Sequence, residues 1–511
     1  MTNSPLVASI HVLDDDSLLN VFYFYRPFLL GEDDDDYGRL IGGEAGWDRG
    51  RWWYTLAHVC QRWRNIVLES PTYLGVSLVC TNGTPVADML EHSPPLPLVI
   101  DYLEEYSDIT AEDEEGAMLA LKQYDRVRRV RLLIPVTTQQ KLIAAMDSEY
   151  STLEHLIIIQ VIEDDSAIFI FPEALQAPHL RHLTLIGFDL PMGSRLLTSA
   201  VGLVTLFLSM VDPSTYFHPN TLLRWLSFMP QLETLRINFE FAVPSRDIER
   251  HLTQMPVMTP VILPNLHIFR FRGIRTYLEA LVHRMNAPRL EKLHIALLNQ
   301  LTFSVPRLLQ FMNATENLRF KSAKFEFSVG VVYIEVYPHE DSDSDSEALL
   351  MAVNCWHLDW QVFSAAQISN SLSPMLSAVE HLTLGHEVHS RSSEEHNDAD
   401  RTEWRKLFGS FRNVKTLRIA KGLVEEISRC LQLDDGEHPL ELLPELQELT
   451  YFGSGNTGDT FTSFTAARQD AGRPLTLVRR SPSPDQRSSV SSPEPPSMTP
   501  AGDEAGGDLD T

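Results

Sequence analysis

Gly453, Gly455 and Gly458 spell G-x-G-x-x-G directly behind the apolar run at 446–452. A strand feeding such a turn is the setting in which glycine backbone can approach a dinucleotide pyrophosphate, so this is the sharpest hint of enzyme chemistry in the chain. Two features oppose it. The turn closes the patterned part of the sequence instead of opening a nucleotide-binding half, and no acidic residue ends a second strand about 20 residues on to hold a ribose hydroxyl. Residues 475–478 read instead as a last strand. His386 and His389 in HEVH are three apart, not the four that place two zinc ligands on one helix face. His179 and His182 straddle the start of an apolar run and read as surface residues. The carboxylates at 33–36 and 112–115 come in runs, the habit of solvated loops rather than of a paired acid and base. There is no G-x-S-x-G elbow and no P-loop. No catalytic, metal-binding or cofactor-binding set emerges, and the chain reads as a non-enzyme.

A chain of 511 residues can bury a large core and hold two or more structural units. With 42 basic against 69 acidic residues the net charge is -27, which repels phosphate backbones and anionic lipids and argues against nucleic acid or membrane as partners. Cys60, Cys80, Cys355 and Cys430 are scattered without a C-x-x-C pair, as expected of reduced thiols. Residues 1–16 lack the basic and apolar regions of a secretory signal, and no window approaches the ~18 apolar residues of a membrane span. The expected location is intracellular, cytoplasmic or nuclear.

One pattern recurs from residue 127 onward: apolar, two variable, apolar, one variable, apolar. It appears at Val127/Val130/Leu132, Leu153/Leu156/Ile158, Leu180/Leu183/Leu185, Leu203/Leu206/Leu208, Leu232/Leu235/Ile237, Leu266/Phe269/Phe271 and Leu290/Leu293/Ile295, then at Val379/Leu382/Leu384, Val414/Leu417/Ile419 and Leu446/Leu449/Tyr451. First anchors are 26, 27, 23, 29, 34 and 24 residues apart, and later 35 and 32, the period of a solenoid whose unit is one strand and one helix. Pro178, Pro230, Pro264, Pro288 and Pro444 each stand two residues ahead of an anchor, where a fixed φ suits a helix exit before a strand. Helix-period segments lie between, clearest at Leu278/Leu281/Val282/Met285 and Trp404/Leu407/Phe408/Phe411. Between 295 and 379 the pattern lapses; Phe325, Phe327 and Val329 alternate, and 331–336 is placed to pair with them as a hairpin.

Near the N-terminus the spacing of Leu56, Val59, Cys60 and Trp63 predicts one amphipathic helix, with Trp52, Trp53, Ile66 and Val67 widening its apolar face until Pro71 ends it. Leu18, Leu19 and Phe22, behind a start capped by Asp14–Asp16, supply a partner helix. LDDDSLLNVF, LAHVCQRWRNIV and ESPTYL together resemble the F-box of fungal F-box proteins, with Asp14 where that family usually has Pro and an acidic, Gly-rich insertion at 31–50. The repeats resemble leucine-rich repeats without their Asn, whose place holds Phe188, Val211 and Glu240. The expected fold is therefore α/β: a helical F-box-like unit over 1–80, an irregular leucine-rich-repeat-like solenoid over 81–480, and a Ser/Pro-rich disordered tail over 481–511.

What the resemblance implies is a non-catalytic, substrate-recruiting subunit of an SCF-type ubiquitin ligase. The helical unit would dock on the adaptor, and through it the cullin, by Leu13, Leu18, Leu19, Phe22, Val59 and Trp63; the alternative is an interaction scaffold without ligase association. The target is unnamed, but the variable residue between the last two apolar positions of each repeat faces away from the core. That position holds Arg131, Ile157, Thr184, Phe207, Arg236, Arg270, His294, Thr383, Arg418 and Thr450, with no acid. Arg131, Arg236, Arg270, His294 and Arg418 are thus candidates for an acidic or phosphorylated target, unless Glu154, Glu233, Glu291 and Glu380 pair with them. Ser342 and Ser344, each three residues before an acid, resemble acidophilic kinase sites.

Overall fold

A computed structural model describes residues 12–26, 52–103, 109–133, 136–160, 169–191, 193–210, 216–240, 260–298, 304–315, 317–340, 347–386, 401–432, 440–452 and 461–480. The insertion at 31–50, the glycines 453, 455 and 458, His389, Val211, Ser342, Ser344 and the tail at 481–511 lie outside the described residues.

Every residue of the ten apolar triplets is buried, at most 3% exposed. The reason is register. Among the described residues sixteen strands form one sheet: β1 (Leu78–Cys80), β2 (Leu98–Tyr102), β3 (Val127–Leu132), β4 (His155–Ile159), β5 (His182–Ile186), β6 (Thr205–Met210), β7 (Thr234–Phe239), β8 (Ile268–Gly273), β9 (Lys292–Leu297), β10 (Ser322–Ser328), β11 (Val331–Tyr337), β12 (Leu349–Asn354), β13 (His381–His386), β14 (Thr416–Ile419), β15 (Glu448–Phe452) and β16 (Thr476–Arg480). From β4 to β9 the middle triplet residues are direct partners, Leu156 to Leu183, Leu206, Leu235, Phe269 and Leu293 in turn. A period-2 strand then sends the whole row to one side, where helices such as Pro219–Leu226, Arg275–Val282 and Arg401–Gly409 bury their own stripes in the same core. Each buried Leu removed from water contributes roughly 1.5–3 kcal/mol.

The prolines act through a tight turn. The anchor N–H of Leu180, Leu232, Leu266, Leu290 and Leu446 donates to the carbonyl three residues back, at 3.1–3.3 Å, which puts each proline at the second position of the turn, where its fixed φ is favoured. At the far ends of strands, where regular leucine-rich repeats place Asn, the next N–H finds a neighbouring backbone carbonyl instead: Gln160 to Ile186 (3.0 Å), Glu240 to Met210 (3.1 Å) and Leu298 to Gly273 (3.0 Å).

The lapse between 295 and 379 holds three strands rather than a hairpin alone. Neighbours run β9–β12–β11–β10–β13, so the chain crosses two places along the sheet and fills the gap backwards as an antiparallel meander. Its outer strands still run parallel to β9 and β13, so the array continues on both sides. Gly330, at φ +76°, makes the β10–β11 turn.

Three local expectations are corrected. The single helix through Val59 is two, α2 (Trp52–Ala57) and α3 (Gln61–Glu69), with Cys60 extended between them and Arg64 Nε capping Ala57 O at 3.1 Å; α1 is Asp15–Tyr25 and α4 Pro71–Leu74. The carboxylates at 112–115 are not a loop but part of helix Ala111–Leu121, with Glu112, Asp113 and Glu114 in its first turn. There Thr110 and Asp113 form a reciprocal cap, and Asp113 also accepts from Gly83 N–H at 2.7 Å. Burial opposes its ionisation, yet these hydrogen bonds hold its carboxyl below the usual range. Finally, Met285 and Phe411 lie just past the helices expected to contain them, although both are buried.

Candidate functional site

The helical unit is held by polar ties at its rim and aromatic packing within. Arg62 binds Asp15 (Nη2 to Oδ1, 2.6 Å) and donates to Leu13 O (2.7 Å), and the Phe22 and Trp63 rings meet edge-on at 4.8 Å. Asp14, in the place of the family's Pro, accepts from Ser17 N–H at 2.7 Å and caps α1. Of the residues expected to face an adaptor, Leu18 (0%) and Phe22 (1%) are spent on the unit's own core, Leu19 and Trp63 are half-buried, and Leu13 (38%) and Val59 (57%) are exposed. Sequence reasoning passed over the other apolar residues of α1. Val21 is 45%, Phe24 85% and Tyr25 60% exposed. The signal was available: FYFY is too apolar for one helix face to bury.

On the sheet, the side turned away from the core carries two rows of charge. The first lies at the strand starts, one residue after each anchor. Arg128 pairs with Glu154 (2.9 Å), His267 Nδ1 lies 3.4 Å from Glu291, and Lys415 pairs with Glu380 (3.0 Å). The lysine's hydrogen bond, above all, holds the Glu380 carboxyl below its usual range. Glu154, Glu291 and Glu380 thus pair within this row, not with the mid-strand arginines. Glu233 and Arg181 line a cleft of about 330 Å³ at the same edge, with Pro178, His179, Gly202, Val204 and Gln231.

The second row is the mid-strand position. Register joins it across the sheet as Asp101, Arg131, Ile157, Thr184, Phe207, Arg236, Arg270 and His294, continues through Leu350, Glu335 and Lys324 of the meander, and ends with Thr383, Arg418, Thr450 and Val478. Two acids therefore join a row expected to have none. Asp101 binds Arg131 at 3.1 Å, and Lys324 lies 3.4 Å from Glu335 and from Glu326. The five candidate residues are not one site. Arg236, Arg270 and His294 occupy adjacent strands, whereas Arg131 is four strands away, about 19 Å at ~4.8 Å per strand, and Arg418 lies beyond the meander.

Arg236 stacks over the Phe207 ring at 4.3 Å. Burial, then Arg270, Lys292 and Arg236, push the His294 imidazole down to about 3. It is neutral at physiological pH, so its 3.1 Å approach to Glu347 is a polar contact rather than an ion pair. Arg272, Lys292 and Asn238 share this face through the same register, and sequence reasoning omitted them because they lie outside the triplet position. Towards β2, the face turns apolar: Leu103, Leu133, Ile159, Ile186 and Phe207 form a small buried cluster separate from the main core. His155 and His182 stack below it at 4.4 Å, so His182 is a sheet residue, while His179 is exposed.

Among the described residues no group of three or more His, Cys, Asp or Glu is placed to hold a metal ion, and no helix is long and apolar enough to cross a membrane. No family model and no curated protein sequence matches the chain. Among solved structures it is similar to the leucine-rich repeat-containing protein LegL7 from Legionella pneumophila at 12% identity, covering 74% of this chain and 90% of that one, with a TM-score of 0.26. So distant a likeness carries no argument about function.

Proposed function

We propose that the protein is a non-catalytic, substrate-recruiting subunit of an SCF-type ubiquitin ligase, its N-terminal helical unit binding the adaptor and its repeat array binding a target. Catalysis by such a subunit is proximity: it holds a target lysine near the charged conjugating enzyme. The observation that carries the reading is the apolar surface that α1 leaves exposed. Leu18 and Phe22 are fully buried, while Val21, Phe24 and Tyr25 leave large apolar side chains in solvent beside the F-box-like sequence. Asp14 is compatible with this reading, because its cap supplies the helix start that the family's Pro would pre-set.

Co-purification from cells of a tagged full-length chain tests it. Adaptor and cullin are expected in the eluate, and replacing Val21 and Phe24 by Ser is expected to remove both. A wild-type eluate holding neither protein would instead leave the array as an interaction scaffold outside the ligase.

A further inference from the structure

The two edges of the sixteen-stranded sheet are finished differently. At one edge β1 is wholly buried, in the same core as the helical unit, and Trp53 Nε1 of α2 donates to Ser77 O at 3.1 Å just ahead of it. At the other edge β16 pairs with β15 alone among the described residues; Thr476, Leu477, Arg479 and Arg480 are exposed and Val478 is half-buried. Thr476 N–H donates to Gln447 O at 2.8 Å, towards β15. Backbone groups alternate sides along a strand, so the N–H and C=O of Leu477 point off the open edge. Its side chain is in register with the buried Leu449, on the core side, and is 36% exposed; helix Thr462–Asp470 precedes β16 and no described helix follows it. Residues 440–480 carry five acids (Glu441, Glu445, Glu448, Asp459 and Asp470) against four bases (Arg468, Arg473, Arg479 and Arg480), a net charge of -1 in a chain of net charge -27.

We infer that the open edge of β16 is a self-association surface, taken by β16 of a second copy of this chain in antiparallel pairing about a twofold axis at Leu477. A pair centred there exchanges two backbone hydrogen bonds between the Leu477 residues of the two copies, with their Cα atoms about 5.5 Å apart, and lets the two Leu side chains cover each other. The same register sets Thr476 opposite Val478, a β-branched pair, and Arg479 and Arg480 opposite Leu475 and Pro474, so no arginine faces an arginine. The strand is thus complementary to itself, the condition that a closed twofold interface imposes. Charge selects the same place. Two chains of net charge -27 repel over most of their surface, and a near-neutral end is where they approach at least cost. A five-residue strand pair is small for an interface, so the dimer is weak and reversible. It uses none of the residues assigned to the adaptor and stands apart from the ligase reading.

The test is sedimentation equilibrium of the purified full-length chain over a concentration series reaching about 200 µM. A reversible equilibrium of monomer and dimer is expected, with a dissociation constant on the order of tens of micromolar that tightens as added salt screens the repulsion between the copies. Leu477→Pro deletes the outward N–H and the apolar side chain but no bond to β15, since proline is tolerated where an edge strand turns its N–H to solvent; it should weaken the dimer at least roughly tenfold. Leu477→Lys, at an exposed position, should do the same by setting two cations face to face, with an unchanged urea midpoint as the check on folding. Ile262→Lys, at an apolar position 61% exposed elsewhere on the array, should leave the equilibrium unchanged. A wild-type chain that stays monomeric throughout would leave the edge to residues 481–511 or to another protein and would overturn the proposal. So would a dimer that survives both Leu477 variants, or one lost equally in Ile262→Lys.

Discussion

The helical unit and the repeat array put opposite chemistry on their outer sides, although they share one core. Leu18, Phe22, Trp53 and Val67 belong to the same buried cluster as Leu156 and Leu235. Outside that core, α1 exposes Val21, Phe24 and Tyr25 close together, while the strands of the array expose mostly charged and polar side chains, with Ile262 and Leu477 as exceptions. An apolar surface gains by being covered, through lost hydration, whereas exposed ion pairs add little to stability. The two regions thus differ in what they offer to solvent: exposed apolar side chains on α1, and rows of mostly paired charges on the strands of the array.

The strongest way to break the comparison is through the common core. Leu235→Ala in the array and Leu18→Ala in the unit should each cost about 2–5 kcal/mol and lower the same unfolding transition in urea. Two separate transitions would show the unit to be energetically independent. Next come the caps. Thr110→Ala removes one half of a reciprocal cap and should cost about 0.5–2 kcal/mol in the same measurement.

Asp14, capping α1, sharpens the contrast by pH. Its carboxyl is held below the usual range by the Ser17 hydrogen bonds, so its contribution is present above the unfolded carboxylate range and lost as pH falls through the lower folded value. Asp14→Asn should flatten that part of the acid limb of a thermal-stability profile, and an unchanged limb would remove Asp14 as a determinant. Smallest of all, Phe24→Ala should alter stability by no more than about 0.5 kcal/mol, since the ring is 85% exposed. A larger loss would mean that the ring serves the fold and not a partner.

The array was legible because its rule is local. Three apolar residues at fixed offsets decide a strand, and at five of the ten anchors a proline two residues earlier favours the turn before it. The reversed order β12–β11–β10 was not legible, since Leu349, Met351 and Val353 have the alternation of any strand and nothing in it names a neighbour. Val59 was misplaced because periodicity counts residues without sensing φ; the extended Cys60 turns it outward. Arg468 shows another limit. Fully buried, it donates to the carbonyls of Leu443, Pro444 and Leu446 at 2.9–3.2 Å and so staples the last turn of the array, in a residue type that composition assigns to the surface. In the candidate site the arginines were visible one by one, but their division into an Asp101-paired Arg131, Arg236 and Arg270 on adjacent strands, and Arg418 beyond the meander required the register.

The most direct test of the account is a titration of the full-length chain with purified ligase adaptor, followed by calorimetry, for the wild type and the Val21→Ser/Phe24→Ser variant. Saturable one-to-one binding by the wild type, weakened at least roughly tenfold in a variant whose unfolding midpoint is unchanged, is the predicted result. Absence of binding by the wild type, or equal binding by both proteins, would contradict it.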